Sequence, residues 1–508
     1  MRTHMRGSHL ARNTILNLFG QGIPLLVAFF TIPFLTKTLG SDRFGVIALS
    51  WVILNYFAVF DLGLGRATTK FIAAELSRGN NQNIPSILRA VVRAQYGLGI
   101  VGGLVLAGFT PYLVERTLKI PYALWGEAKA TFYILAVAIP VVLVSGSYRG
   151  SLEAAQRFDL VNAVAIPSGL ANYLMPVVAV LLRWGLPGTI LLLVIIRILG
   201  LTTLWWLANR TFSSTTGGPT TDASLLGTLL RFGGWVTVSG VVGPILVYSD
   251  RFFIGSLLGL AAVSYYSAPY EMVTRLWIIP GSLVATLFPA FSNLDARGQE
   301  ERTRITRVFF QSVRYLLLGV GSIAILLVSN ARNVLGAWLG PEYATESSAT
   351  LQVFAVAVLI NSAAQVPFTL VQAVGRPDLT AKLHLLEVPI YVVLAWTLIT
   401  RWGVAGAAVA WLVRVTLDAL LLFVVAARLL QMSTRMFFTE KIPQATALVL
   451  ILAAIGYGLS LYSLPMWTHL ISTIIIFLVF AGIGIRLFIP DSERERILQL
   501  LKAVIRSS

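Results

Sequence analysis

Long runs of apolar residues, cut by short breaks carrying charge, proline or glycine, fill almost the whole chain. A helix needs about 20 such residues to cross the hydrocarbon core of a bilayer. Read at that length, the runs fall near 14–36, 44–64, 90–114, 128–147, 160–182, 186–208 and 231–256. They continue near 262–290, 306–329, 349–372, 380–400, 403–427, 442–463 and 467–489. The pattern predicts an all-α polytopic membrane protein of about fourteen transmembrane helices. The runs are continuous rather than alternating, which argues against a strand barrel. The first run, Ile15 to Leu35, is long enough to span and lacks the small-residue pattern of a cleavable signal.

The chain also repeats itself at an offset of about 219. Arg12 and Gly40 stand 28 apart, as do Arg231 and Gly259. Ala136-Val137-Ala138-Ile139 matches Ala355-Val356-Ala357-Val358, and Arg157-Phe158-Asp159-Leu160 matches Arg376-Pro377-Asp378-Leu379. Arg183-Trp184-Gly185 matches Arg401-Trp402-Gly403 at an offset of 218. The offset covers six helices, an even number, so the two halves share one orientation and form a parallel repeat. This predicts a six-helix lobe over 1–208, a polar cytoplasmic linker over 209–230 and a second six-helix lobe over 231–430. Residues 431–508 are left as two additional helices and a basic tail. Duplication can simply enlarge a bundle; in a membrane it also creates a seam around which a transporter can rock.

Composition narrows the class further. Of 508 residues, 56% are apolar and 12% charged, which excludes a soluble enzyme and a disordered chain. The net charge of +17 does not call for nucleic acid, because the basic residues sit in the breaks between apolar runs. With the N-terminus in the cytoplasm, the cytoplasmic segments hold 26 of the 39 Lys and Arg residues and the external loops nine. That bias places both termini in the cytoplasm. The chain has no cysteine, and its four histidines are scattered, so no metal cluster is expected. There is no G-x-x-x-x-G-K-[ST] loop, H-E-x-x-H or G-x-S-x-G, and no cofactor or enzymatic activity is expected.

The remaining four basic residues, Arg197, Arg275, Arg314 and Arg414, fall inside spans. An arginine facing lipid at mid-span costs roughly 2.5–3.5 kcal/mol. These four should therefore face protein, water or an anionic substrate. Glu271 precedes Arg275 by one turn and Asp418 follows Arg414 by one turn, so each pair can be an internal ion pair or part of a coupling site. Arg197 has no acidic residue at helical spacing, which favours it as an anion contact. Arg314 lies about two turns inside its span, near enough to the cytoplasmic end to snorkel. Asp250-Arg251 reads as a gate or an ordinary cap at the external end of span seven. Asp61 and Arg66 read as a latch or a helix-ending charge pair, and Asp61 and Glu387 as candidate coupling carboxylates. Prolines inside spans kink helices; Pro24 and Pro244 recur near the repeat offset and are candidate hinges.

Several short motifs carry a family resemblance. Ala11-Arg12-Asn13-Thr14 precedes Gly20-Gln21-Gly22 and Pro24; Leu39-Gly40 leads to Phe44-Gly45; span two closes on Asp61-Leu62-Gly63-Leu64-Gly65-Arg66. The second half opens with Arg231-Phe232-Gly233, Asp250-Arg251 and Leu258-Gly259. Over most of residues 11–430 the chain resembles the bacterial polysaccharide (O-antigen and related) flippases of the multidrug/oligosaccharidyl-lipid/polysaccharide superfamily. The resemblance implies a V-shaped pair of six-helix lobes around a cationic cavity, in the bacterial inner membrane. It implies movement of a polyprenyl-pyrophosphate-linked glycan from the cytoplasmic to the periplasmic leaflet, beside a polysaccharide polymerase and a chain-length regulator. The two extra C-terminal helices look more like lipid II flippases. A drug or organic-cation antiporter is the alternative within the superfamily and needs a free acidic pocket. A membrane enzyme or scaffold such as a polymerase is the alternative outside it, against which the short external loops argue.

Overall fold

The computed structural model describes residues 7–59, 64–78, 80–155, 157–212, 246, 248–291, 298–462 and 466–488. Helices dominate these residues, and among them there is no strand. Nine helical stretches among the described residues are long and apolar enough to cross a membrane. The protein is a multi-pass membrane protein. In the order of the chain come α1 (Gly7–Val59), α2 (Leu64–Arg78), α3 (Ile84–Tyr112), α4 (Trp125–Ala154), α5 (Phe158–Leu181) and α6 (Gly185–Phe212). Helical residues 248–257 follow, then α7 (Leu260–Thr274), a tight 3₁₀ turn (Arg275–Trp277) and α8 (Ile278–Phe291). The rest is α9 (Gly298–Leu339), α10 (Pro341–Glu346), α11 (Ser348–Ala373), α12 (Pro377–Leu430), α13 (Thr434–Thr439), α14 (Ile442–Ser460) and α15 (Met466–Phe488).

Among the described residues the expected spans reappear with shifted ends; most of span seven, 231–245, lies outside them. Two pairs of them run through a single break: spans one and two inside α1 at Gly40 (φ 80°), and spans eleven and twelve inside α12 at Gly403 (φ 59°, ψ −138°). A side chain with a Cβ rarely adopts either conformation, so glycine allows each helix to break and change direction without a loop. One reading is corrected. Arg66 does not close the second span; it lies in the first turn of α2, a fifteen-residue helix. Its sequence, LGRATTKFIAAELSR, is too polar to have registered as a span.

The sequence repeat is written in the backbone. Gly40 and Gly259, 219 apart, both have positive φ, as do Gly185 and Gly403, 218 apart. At the start of α5, Arg157 Nε donates to Asp159 Oδ1 over 3.0 Å; at the start of α12, Arg376 Nε donates to Asp378 Oδ1 over 3.0 Å. In both places the backbone N–H three residues after the arginine donates back to its carbonyl over 3.1 Å. Two segments differing in sequence thus build the same turn before the same kind of helix.

The chain divides into two compact units, Met1–Ser267 and Ala268–Ser508. In the first, α4 packs on α3, α6 and α2, and α5 on α1 and α6. Small residues allow the close approaches that hold membrane helices together: a Cβ on Gly99 would lie 2.5 Å from Pro140 Cα, and one on Gly103 2.6 Å from the Ala136 carbonyl oxygen. A fully buried polar chain crosses this packing, from Thr68 through Ser147 to Gln95, with Ser147 Oγ donating to Gln95 Oε1 over 2.6 Å.

In the second unit, α11 packs against α9 and α12, around the rings of Tyr270, Trp277, Phe354 and Trp411. The last two helices are part of this unit. Asn330 of α9 donates to Thr473 of α15 over 3.2 Å, Gln352 of α11 donates to Ser460 of α14 over 3.1 Å, and α9 packs along both α14 and α15. The turn in α12 is tight enough that a Cβ on Gly406 would meet the Leu398 carbonyl oxygen at 2.0 Å. Gly406→Ala must push backbone against backbone, and overpacking of this kind costs about 1–3 kcal/mol. The detergent-solubilised variant should melt several degrees below wild type; an unchanged midpoint would mean the turn has slack that the structure does not show.

Candidate functional site

The four in-span arginines fall into different environments. Arg275 starts the 3₁₀ turn between α7 and α8, and its Nη2 donates to Glu271 Oε2 over 2.5 Å, the internal pair expected from their spacing. Arg314 of α9 reaches across to Glu440, donating from Nη1 to both its carboxylate and its backbone carbonyl over 3.2 Å. Glu440 follows α13, so this arginine ties α9 to the chain that leads into α14. It is engaged from within the protein.

Arg414 departs from expectation. Its Nη1 lies 3.5 Å from Glu387 Oε2, on the opposite arm of the α12 turn, and the expected pairing along its own helix with Asp418 is not formed. Asp418 instead faces His384, with 3.9 Å between Oδ1 and Nε2. The physical reason is the turn at Gly403, which folds the two arms of α12 against each other and offers Arg414 a carboxylate that sequence spacing along one arm cannot reveal.

Arg197 differs from the other three. It sits half-buried near the middle of α6 and makes no hydrogen bond or ion pair with any described residue. A guanidinium at mid-span with no counter-charge is costly unless something else solvates it.

Asp250 and Arg251 lie inside the helical residues 248–257, not at the helix end as expected. They are 0% and 2% exposed, too deep for an ordinary cap. Arg251 Nη1 donates to Asp250 Oδ1 over 2.7 Å, the Tyr266 hydroxyl donates to Asp250 Oδ2, and the Arg251 guanidinium stands 5.0 Å from the Tyr266 ring centroid. The pair forms a knot joining these residues to α7. Asp61 and Pro244 lie outside the described residues. Arg66 and Pro24 are described only as helical positions, in α2 and α1.

Tyr266, Glu440, His384 and the Thr68–Ser147–Gln95 chain are site or framework residues missed by sequence reasoning. No local signal marks them, because each acquires its role from a partner 16 to 126 residues away. Among the described residues no group of three His, Asp or Glu side chains is placed to hold a metal ion.

Arg43, just after the Gly40 break, donates to Glu127 at the start of α4 over 2.9 and 3.2 Å. That hydrogen bond holds the Arg43 guanidinium above its ordinary pKa. Both side chains are more than a third exposed, and exposed pairs contribute about 0–1 kcal/mol. Arg43→Ala should therefore melt within a degree or two of wild type; a large drop would mean the pair is shielded from water.

Residues 10–295 match the model of a family described as polysaccharide biosynthesis protein. The chain belongs to that family. Among relatives of this polysaccharide biosynthesis protein, a putative O-antigen transporter of Shigella flexneri is 29% identical over 417 residues, covering 81% of this chain and 96% of the relative. A probable low-salt glycan biosynthesis flippase of Haloferax volcanii is 23% identical over 410 residues, covering 79% and 80% of the two chains. The fold is that of two solved transporter structures. The lipid II flippase MurJ in an inward closed conformation gives a TM-score of 0.70 at 13% identity, covering 94% of this chain and 100% of MurJ. An inward-facing multidrug resistance transporter of the MATE family gives 0.69 at 11% identity, covering 80% and 94%. The helical membrane architecture of this polysaccharide biosynthesis protein is thus shared by transporters of different cargo, and the fold by itself does not choose between them.

Proposed function

We propose that this protein is a flippase that moves a polyprenyl-pyrophosphate-linked oligosaccharide from the cytoplasmic to the periplasmic leaflet of the bacterial inner membrane. It works by alternating access between two six-helix lobes, residues 1–208 and 231–430, joined by the linker over 209–230. The observation that carries the reading is Arg197, a mid-span guanidinium without a counter-charge among the described residues. A pyrophosphate has the charge and the oxygen geometry to take that place, and a planar guanidinium recognises it with paired hydrogen bonds. The family and the printed names of its relatives support the same class of cargo. The chain is a transporter rather than an enzyme, and a polysaccharide polymerase would consume its product on the far side.

A drug or organic-cation antiporter needs an ionised carboxylate left free for the cation. Glu271 is paired with Arg275, which weighs against that reading; Asp418, the other candidate carboxylate, faces His384. The test is depletion of the protein in its host, followed by mass spectrometry of the lipid-linked sugars accessible on each leaflet. Accumulation of one polyprenyl-pyrophosphate glycan on the cytoplasmic side is the expected result. Normal delivery of every lipid-linked glycan to the periplasmic side, with drug export lost, would replace the flippase by the antiporter.

A further inference from the structure

The two arms of α12 enclose a polar cluster that glycan recognition does not use. His384 and Glu387 come from the first arm, Arg414 and Asp418 from the second. Glu387 is 1% exposed, Asp418 7% and Arg414 9%. Both carboxylate oxygens of Glu387, Oδ1 of Asp418 and Nε of Arg414 are buried without a hydrogen-bond partner. The Arg414–Glu387 separation of 3.5 Å is long for a charge-assisted hydrogen bond, which closes to about 2.7–2.9 Å when fully made. Buried polar atoms are almost always satisfied, so this many orphans in one place calls for a missing occupant.

Charge counting says what the occupant is. Two carboxylates facing one guanidinium leave one uncompensated negative charge in a buried site. Among the described residues the neighbouring elements supply no charge to offset it. Helix α11 has no Asp, Glu, Lys, Arg or His; it offers Phe368, stacked on His384, and apolar Ile360 and Ala364. Tyr391, on the first arm, places its ring 5.7 Å from the Arg414 guanidinium. The stretch meeting Trp411 gives the rings of Tyr270 and Trp277 and carries the Glu271–Arg275 pair. Helix α9 gives Phe309 against Phe423, and its Arg314 is held by Glu440. A metal ion does not fit, since His384, Glu387 and Asp418 are not placed to hold one together and a guanidinium stands in the cluster.

We propose that Glu387 and Asp418 bind one exchangeable proton, and that its position decides which carboxylate Arg414 pairs with. With the proton on Asp418, Arg414 bridges to Glu387 and ties the two arms together across what is now a 3.5 Å contact. With the proton on Glu387, Arg414 turns to Asp418, one helical turn away on its own arm, and the cross-link opens. Both states hold one guanidinium, one carboxylate and one carboxylic acid, so charge balances in each. His384, the most exposed member of the cluster and 3.9 Å from Asp418, is the group through which the proton exchanges with solvent. A proton-dependent cross-link in a single hairpin is a two-state element able to couple a proton gradient to movement of the lobe. That coupling rests on the flippase reading above; the proton site does not.

The test uses the full-length purified protein. Infrared difference spectra over about pH 5–9 read the carbonyl stretch of protonated carboxyl groups. Wild type should show a band that titrates in this range. Glu387→Gln and Asp418→Asn should each remove the titration from this range, because one guanidinium then faces one carboxylate. No titrating band in wild type, or the wild-type titration persisting in either variant, would overturn the site without appeal to any folding defect. The second arm uses liposomes of phosphatidylethanolamine and phosphatidylglycerol loaded with a polyprenyl-pyrophosphate oligosaccharide. An imposed pH gradient should change the wild-type flipping rate several-fold and leave Glu387→Gln unresponsive. A gradient response in Glu387→Gln equal to wild type would overturn the coupling. A wild-type protein that titrates normally but flips nothing would keep the proton site and sink the flippase reading.

Discussion

Arg197→Ala should abolish most glycan translocation while leaving the protein as stable as wild type. The two halves of that expectation have one cause. Arg197 has no protein partner among the described residues, so its removal orphans no buried carboxylate and lifts the cost of a lone mid-span charge. What is lost is the contact with the substrate. Hydrogen bonds to charged groups contribute about 1.5–3 kcal/mol each, and 1.4 kcal/mol is tenfold. A flipping rate lowered by about 10- to 100-fold follows, read as surface polysaccharide in cells or as leaflet exchange in liposomes. Arg197→Lys should recover part of the rate, because it keeps the charge and loses the planar fork. Unchanged export at normal protein levels in Arg197→Ala would remove Arg197 from the substrate path. Arg314→Ala is the contrast: it strands Glu440 and should lower the melting temperature.

The largest effect on stability belongs to Asp250→Ala. Arg251 is 2% exposed and pairs with Asp250 over 2.7 Å. Breaking a buried pair by deleting one partner costs about 3–5 kcal/mol, because the remaining charge stays out of water. The Tyr266 hydroxyl loses its acceptor in the same step. Set against a typical folding stability of about 5–15 kcal/mol, the loss is enough to lower the amount of folded protein sharply. Asp250→Asn keeps the shape and an acceptor for Tyr266, and should fall between the two. Thermal melts and membrane yield of the three proteins decide it. An Asp250→Ala protein that melts like wild type would show that other groups carry the Arg251 charge.

The two arginines that face acids at helical spacing show where sequence reading reaches its limit. For Arg275 the local spacing was sufficient, and Glu271 is its partner. For Arg414 it was not, although Asp418 stands at the same four-residue distance. Gly403 marks the difference. The sequence shows a glycine between two apolar runs; it does not show that the chain turns there tightly enough to bring Glu387 to Arg414. Similarly, DLGLGR reads as the end of a span, while the structure starts α2 at Leu64.

By itself, the sequence determined the helical membrane class, the approximate positions of most described helices and the repeat. These follow from local rules: a bilayer demands about 20 apolar residues per helix, and backbone groups in lipid must be satisfied within the segment. The repeat was legible because equivalent breaks need equivalent residues, as Gly40 and Gly259 or the Arg157–Asp159 and Arg376–Asp378 pairs confirm. The tertiary structure alone decided which charges are already paired and which are left over. An ion pair depends on distances across helices, and composition and spacing along one chain do not encode them. Through that difference Arg314 became a tie to Glu440, Asp250 and Arg251 a buried knot, and Arg197 a guanidinium with no partner among the described residues.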